Sequence, residues 1–183
     1  MTLAVFSDFE CPYCARFAAM MKELSPEEAA SVRLVFRHLP LSMHPWARRG
    51  AEAAACAQEQ GDHYFWDLHD FMFEHQKELT RDNLLQRLAE SAKSLSGFDP
   101  GKFSSCVIER RTAAQIDRDL AFAEQNSIDG TPTVFVNGKR IQIVGPEQLR
   151  TLIRELAETP SMPRAATGSP AAQSAGQGVK QHQ

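Results

Sequence analysis

Two cysteines stand two residues apart between an apolar strand-like run and an amphipathic helix, and few folds accommodate that arrangement. Leu3-Ala4-Val5-Phe6 leads through Ser7 and Asp8 into Phe9-Glu10-Cys11-Pro12-Tyr13-Cys14. Beyond it Phe17, Met20, Met21 and Leu24 recur at i, i+3, i+4 and i+7, which is one face of a helix. Pro12 falls near the first helical position, where its missing N–H costs little. A helix N-terminus carries unpaired N–H groups and about half a positive charge, so it favours an anion. Cys11 is therefore expected to be the exposed, low-pKa attacking thiol and Cys14, one turn in, the buried resolving thiol; thiol–disulfide exchange needs that pair of roles.

A structural zinc site is the alternative use of such a pair. Four-cysteine zinc sites want a second close pair, and mixed sites a nearby Cys/His pair. The remaining cysteines, Cys56 and Cys106, are far apart and not so arranged, so no metal is expected.

At 183 residues and 43% hydrophobic, the chain can bury one good core, as one domain with an elaboration. A net charge of −3 excludes a general nucleic-acid binder. No apolar run approaches the ~18 residues that span a bilayer. No basic segment followed by an apolar one precedes the first strand, so no signal peptide is expected in this chain. A mature start, a domain of a longer protein and a cytosolic protein all fit that beginning.

Val32 to Arg37 predicts a second strand, ended by Pro40, with His38 and His44 read as loop histidines that bond locally. Residues 46–127 read as helical throughout. The alanine-rich stretch 47–60 comes first and is broken at Gly61. Phe65, Leu68 and Met72 mark the next face. Leu85, Leu88, Ala92 and Leu95 follow a cap at Thr80, and Asp99-Pro100 opens a helix carrying Phe103, Cys106 and Val107. Ala113, Ile116, Leu120 and Ala123 continue the pattern. Tyr64, Phe65, Trp66, Phe71 and Phe73 are expected to be core rather than a ligand box. Thr133–Val136 reads as a strand, Asn137-Gly138 as a type I′ turn and Arg140–Val144 as its partner. Gly145-Pro146 opens a final helix with Leu149, Leu152, Ile153 and Leu156. Residues 159–183 are rich in Pro, Ala, Ser, Gly and Gln and are expected to be disordered.

The phrases FSDFECPYC, FRHLPL and GTPTVFVNGK, in that order and separated by helical sequence, resemble the DsbA-like thiol:disulfide oxidoreductases of the thioredoxin superfamily. The likeness covers residues 1 to about 157. It implies an α/β thioredoxin fold with an inserted all-helical subdomain: a domain over 1–158, an insertion at about 46–127, and the helical lobe walling one side of a groove. It implies that Thr131–Pro132 is a cis bond beside Cys11, with Pro12 and Tyr13 shaping the redox turn. It also implies oxidation of reduced protein substrates, no organic cofactor, a membrane redox partner for re-oxidation, a monomer, and a periplasmic setting. A glutathione- or thioredoxin-like reductase, or a redox domain of a larger membrane-associated protein, is the alternative. Some DsbA-like proteins carry a second bridge in the helical lobe, which implies a Cys56–Cys106 disulfide here; two unpaired buried cysteines remain open on the residues alone. One departure stands out. Several relatives hold a buried acid beneath the redox pair, where this chain has Val5 and Phe6, with Asp8 and Glu10 nearby and expected at the surface.

Overall fold

The computed structural model describes residues 1–142 and 145–158. The expected disordered stretch 159–183, and the end of the last expected strand, lie outside them. Among the described residues the element order is β1 (Thr2–Ser7), α1 (Pro12–Lys22), α2 (Pro26–Ala30), β2 (Arg33–His38), α3 (Ala47–Gln58), α4 (Asp62–Glu74), α5 (Leu84–Ala92), α6 (Pro100–Ile108), α7 (Ala113–Gln125), β3 (Thr133–Val136), β4 (Lys139–Ile141) and α8 (Pro146–Glu158).

The four strands form one mixed sheet in the order β2-β1-β3-β4. β1 pairs with β2 in parallel, Val5 opposite Phe36, and with β3 antiparallel, Val5 opposite Val134. Being central, β1 is covered on both faces. Leu3 and Val5 pack with Phe17 of α1 and Leu149 and Ile153 of α8. Phe6 faces the other way, onto Leu39, Ala123 of α7 and Ile128. This is a thioredoxin fold in which α3–α7 are inserted between β2 and β3. Asn137 (φ 49°) and Gly138 (φ 85°) make the β3–β4 turn with both central residues in the left-handed region, which is why Asn-Gly suits it.

The insertion has its own core. Ala53, Ala54 and Ala57 of α3 are fully buried against Leu68 and Met72 of α4, Leu84 and Leu88 of α5, and Phe103 of α6. The small side chains let α3 approach closely: a Cβ at Gly50 would lie 3.2 Å from the Trp46 ring and 3.3 Å from the Met72 sulfur. Cys56 and Cys106 are joined in a disulfide with Cα atoms 5.8 Å apart, inside the range such bridges span.

Three local expectations need correction. The residues before β2, for which no element was expected, contain the short helix α2, started by a capping box in which Ser25 accepts from the Glu28 amide and Glu28 accepts from the Ser25 amide. The Ser-Pro-Glu-Glu sequence carries that signal. Helix α5 begins at Leu84 rather than just after Thr80, because Thr80 and Asn83 bond reciprocally in a turn that precedes it. The expected surface carboxylates Asp8 and Glu10 are drawn inward, as described below.

Candidate active site

The redox turn is built where β1 ends and α1 begins. Cys11 is the N-cap residue of α1, in extended backbone conformation with Pro12 following, and its carbonyl accepts from the amides of Cys14 (3.1 Å) and Ala15 (3.2 Å). Its thiol lies 3.5 Å from the Thr131 carbonyl oxygen, to which it donates. The Thr131–Pro132 peptide bond is cis. Cys14 sits one turn in, and the Asp8 amide donates to its sulfur at 3.5 Å. The structure thus brings Cys11, Cys14, Thr131 and Pro132 together, with both thiols free. Cys56 and Cys106 lie apart from them, in the insertion.

One expectation fails. Cys11 is not exposed: it is 4% accessible, against 1% for Cys14, because the Thr131–Pro132 loop lies against it. Pro12 and Tyr13 are the exposed residues of the turn, Tyr13 62% accessible with the Arg16 guanidinium 4.4 Å over its ring.

The two thiols are polarised in opposite directions. Cys11 is lowered from 9.0 to about 5. The hydrogen bond from Cys14 is the largest cause and burial opposes it; the Thr131 side chain and the backbone amides of Cys14 and Tyr13 add to the lowering. Those amides are the free donors of the helix N-terminus. Burial drives the Cys14 thiol strongly upward, the bond to Cys11 pushes the same way, and Ser7 and the Asp8 amide act against them.

The turn is braced from the helical insertion by groups that sequence reading did not find. Asp8, 1% accessible, accepts from the Glu10 amide through Oδ1 (2.7 Å). Its Oδ2 meets the Leu41 amide and His44 Nδ1, both at 2.7 Å. Glu10 accepts from the amides of Trp46 (2.8 Å) and Ala47 (3.0 Å). Helix α3 starts after Pro45 with no side-chain cap of its own, so its first donors take an acceptor from elsewhere in the chain. The missing local cap was the one available signal. Gln76, just beyond α4, donates to the carbonyls of Phe9 (2.8 Å) and Cys11 (3.0 Å), and no pattern in the sequence marks it.

The two histidines differ from their expected loop role. His44 is a loop residue, but its partner is Asp8, 36 residues away in sequence. His38 is the last residue of β2 and 2% accessible, in ring contact with Phe9, Phe36 and Phe65. Burial pushes it down to about 3, helped by the charges of Arg37 and His69. It is neutral at neutral pH and unsuited to stabilising a thiolate by charge.

Beside the turn runs a groove of about 1070 Å³ between α1, β3–β4 and the start of α8, lined by Tyr13, Arg16, Met20, Pro132 and Arg140 among others. No residue of the helical insertion lines it. The lobe therefore does not wall this groove, contrary to expectation; it meets the turn through Trp46, Ala47 and Gln76.

A buried and an N-capping cysteine, a proline loop against them and a central parallel–antiparallel sheet define a dithiol protein of thioredoxin fold. A family model described as thioredoxin matches residues 1–155, and the chain belongs to the thioredoxin family. Curated relatives include the Na(+)/H(+) antiporter NhaA 3 of Salinispora tropica, 42% identical over 153 residues, which are 83% of this chain and 22% of the relative. They also include the antiporter NhaA of Herminiimonas arsenicoxydans, 38% identical over 143 residues, 78% of this chain and 21% of the relative. The chain spans about a fifth of the length of the curated relatives it matches. Among solved structures, BdbD from Bacillus subtilis has a TM-score of 0.68 at 23% identity, covering 84% of this chain and 85% of that one. MdbA, a thiol-disulfide oxidoreductase from Actinomyces oris, has 0.72 at 17%, covering 84% and 79%. Reduced DsbA from Mycobacterium tuberculosis has 0.66 at 24%, covering 86% and 83%. At these identities the likeness is one of fold.

Proposed function

We propose that this chain is a thiol:disulfide oxidoreductase of DsbA-like type, in which Cys11 and Cys14 exchange a disulfide with protein substrates. The observation that carries the reading is the opposed polarisation of the two thiols: Cys11 lowered to about 5 at a helix N-terminus, Cys14 pushed up behind it. In the oxidising direction a substrate thiolate attacks Cys11 Sγ. The substrate–Cys11 bond forms, the Cys11–Cys14 bond breaks, and Cys14 leaves as a thiolate that takes a proton. A second substrate thiolate then attacks the substrate sulfur of the mixed disulfide and Cys11 leaves as a thiolate. The substrate has lost two electrons, and the pair has gained them. A thiolate of low pKa is the better leaving group, which favours this direction.

Pro12 and Tyr13 shape the turn, and Thr131 and Pro132 offer backbone beside the groove where an extended substrate segment can lie. The catalytic unit is residues 1–158 with its insertion at 46–127. It works outside the cytoplasm and is re-oxidised by a membrane redox partner. A second reading is favoured by the curated relatives: that the unit is a redox domain of a larger membrane-associated protein, since relatives of that kind match it over only part of their length. Among the described residues no helix is long and apolar enough to cross a membrane, so the span would belong to another part of such a protein.

The deciding measurement is the reduction potential of the Cys11–Cys14 pair, by equilibration with glutathione. A value near ~−120 mV fits an oxidase, and one near ~−270 mV a reductase. With Cys14→Ser, a mixed disulfide with a reduced model protein should accumulate through Cys11. Accumulation through any other cysteine would end the assignment.

A further inference from the structure

In every direction of exchange a proton must reach or leave the buried Cys14 sulfur, and no carboxylate is among the residues that line the cavity behind it. Behind Cys14 lies a cavity of about 20 Å³, bounded by Val5, Ser7, Cys14, Phe36, His69 and Phe73 among others. That is room for one water, which needs on the order of 10–15 Å³ and two or more polar partners. Ser7, Cys14 and His69 are the lining residues that carry polar side-chain atoms. A second pocket, about 240 Å³ and opening at the surface, is lined by Lys22, Trp66, His69 and Asp70 among others. His69 lines both, and of the residues the two share it alone is titratable.

We propose that His69 exchanges the proton of Cys14 across a single water held by Ser7, and passes it to solvent beside Asp70. This rests on the exchange reading above. His69 Nδ1 lies 2.8 Å from Asp70 Oδ1, and Asp70 Oδ2 lies 2.9 Å from Lys22 Nζ, which also binds Glu74. With Nδ1 committed to the carboxylate, Nε2 is the nitrogen that trades a proton. When the Cys11–Cys14 bond breaks, the imidazolium of His69 gives its Nε2 proton to the water, the water gives one to the Cys14 thiolate, and the neutral ring, still protonated at Nδ1, regains a proton at Nε2 from solvent through the surface pocket that His69 also lines. When Cys14 closes a mixed disulfide, neutral His69 receives the thiol's proton by the same path. Burial would raise the Asp70 carboxyl, but its bonds to His69 and Lys22 hold it lowered, so it stays a carboxylate that steadies the imidazolium. The ring is fixed by Phe73 (4.9 Å between centroids), Trp66 (5.0 Å) and Phe36 (5.4 Å). The titratable and charged groups around it are Cys14 and Lys22 of α1, His38 of β2, and Asp70 of its own helix.

The test is a single turnover of the reduced protein, its Cys56–Cys106 bridge intact, with one equivalent of 2,2′-dithiodipyridine. Thione release comes in two phases, attack by Cys11 and closure by Cys14. In His69→Gln the first phase should stay within about twofold, while closure slows about tenfold or more at pH 7 and loses its inflection with pH. In Asp70→Asn the ring and its packing remain, but without the carboxylate the neutral ring persists to lower pH, so the inflection of closure should move down. Closure in folded His69→Gln with the parent's rate and inflection overturns the proposal. If that variant does not fold, an unmoved inflection in Asp70→Asn overturns it. Absence of the first phase in the parent protein fails the exchange reading itself, and the proposal falls with it.

Discussion

The Thr131 hydroxyl offers the sharpest single perturbation of the site. Its oxygen is buried and has no hydrogen-bond partner, yet the side chain acts to lower Cys11. Both facts follow if the hydroxyl serves as a donor to the thiolate and idles when Cys11 is a thiol. Thr131→Val keeps the shape and removes the donor. A hydrogen bond to a charged group is worth ~1.5 kcal/mol net, and a pKa unit is ~1.4 kcal/mol. Cys11 should therefore move up by about one unit, from about 5 toward about 6. Because its folded value lies below 9.0, the Cys11 thiolate contributes stability to the reduced protein that is fully present above that unfolded value and is lost as pH falls through about 5. In the variant that loss should occur at higher pH. The same ~1.4 kcal/mol, withdrawn from the reduced state, makes the pair more reducing by ~30 mV at pH 7. Thiolate absorbance at 240 nm against pH reads the first effect, and equilibration with glutathione the second. A midpoint unchanged or lowered in Thr131→Val would refute the reasoning, since no other donor in the site is touched.

Three further outcomes are expected. Replacing Cys56 and Cys106 together by Ser, which opens a loop of sequence separation 50, should cost about 4 kcal/mol in urea denaturation by the chain-entropy model; a loss under about 1 kcal/mol would mean that the insertion keeps its compactness when unfolded. Glu10→Ala leaves the Trp46 and Ala47 amides without their acceptor and should cost about 1–2 kcal/mol, with faster hydrogen exchange confined to the start of α3; exchange unchanged there contradicts the bracing. Glu52 is 5% accessible and bonded to Arg48 and Arg110. Burial would raise it, but the arginines hold it below 4.5, so its contribution is present above pH 4.5 and lost as pH falls through its lower folded value. Glu52→Gln should flatten the acid limb of stability against pH, and an identical slope counts against the triad.

Much of the architecture was legible because it is periodic. The apolar face after Cys14, the alanine row of α3 and the Asp99-Pro100 cap each act within one or two turns, and the structure follows them. The redox turn and the proline loop were legible because their residue types are rare in combination. What sequence could not supply was long-range satisfaction of polar groups. Asp8 and Glu10 read as surface carboxylates; apart from the Glu10 amide on Asp8, their partners lie some 30 or more residues away. Gln76 is silent for the same reason. His38 read as a loop residue because its burial depends on Phe9 of the redox turn and Phe65 of α4 as well as on Phe36 of its own strand. The Thr131–Pro132 loop was placed beside Cys11 by the resemblance, but how completely it covers the thiol depends on packing that no local pattern encodes.

The place of the insertion also bears on how the chain assembles. The central strand finds its second neighbour only when Leu3 meets Val136, across the whole helical lobe. A flexible segment of that length would set a large closure entropy against the pairing, and distant strand contacts are slow to form. The lobe removes much of that burden if it condenses first, because its folding by short-range helix contacts delivers the exit of β2 and the entry of β3 to the same neighbourhood. Residues 130–133 would then dock late, onto a turn already held by Asp8, Glu10 and Gln76. A newly made chain would acquire its thiol chemistry in the closing stage of folding, after the scaffold that restrains it is in place.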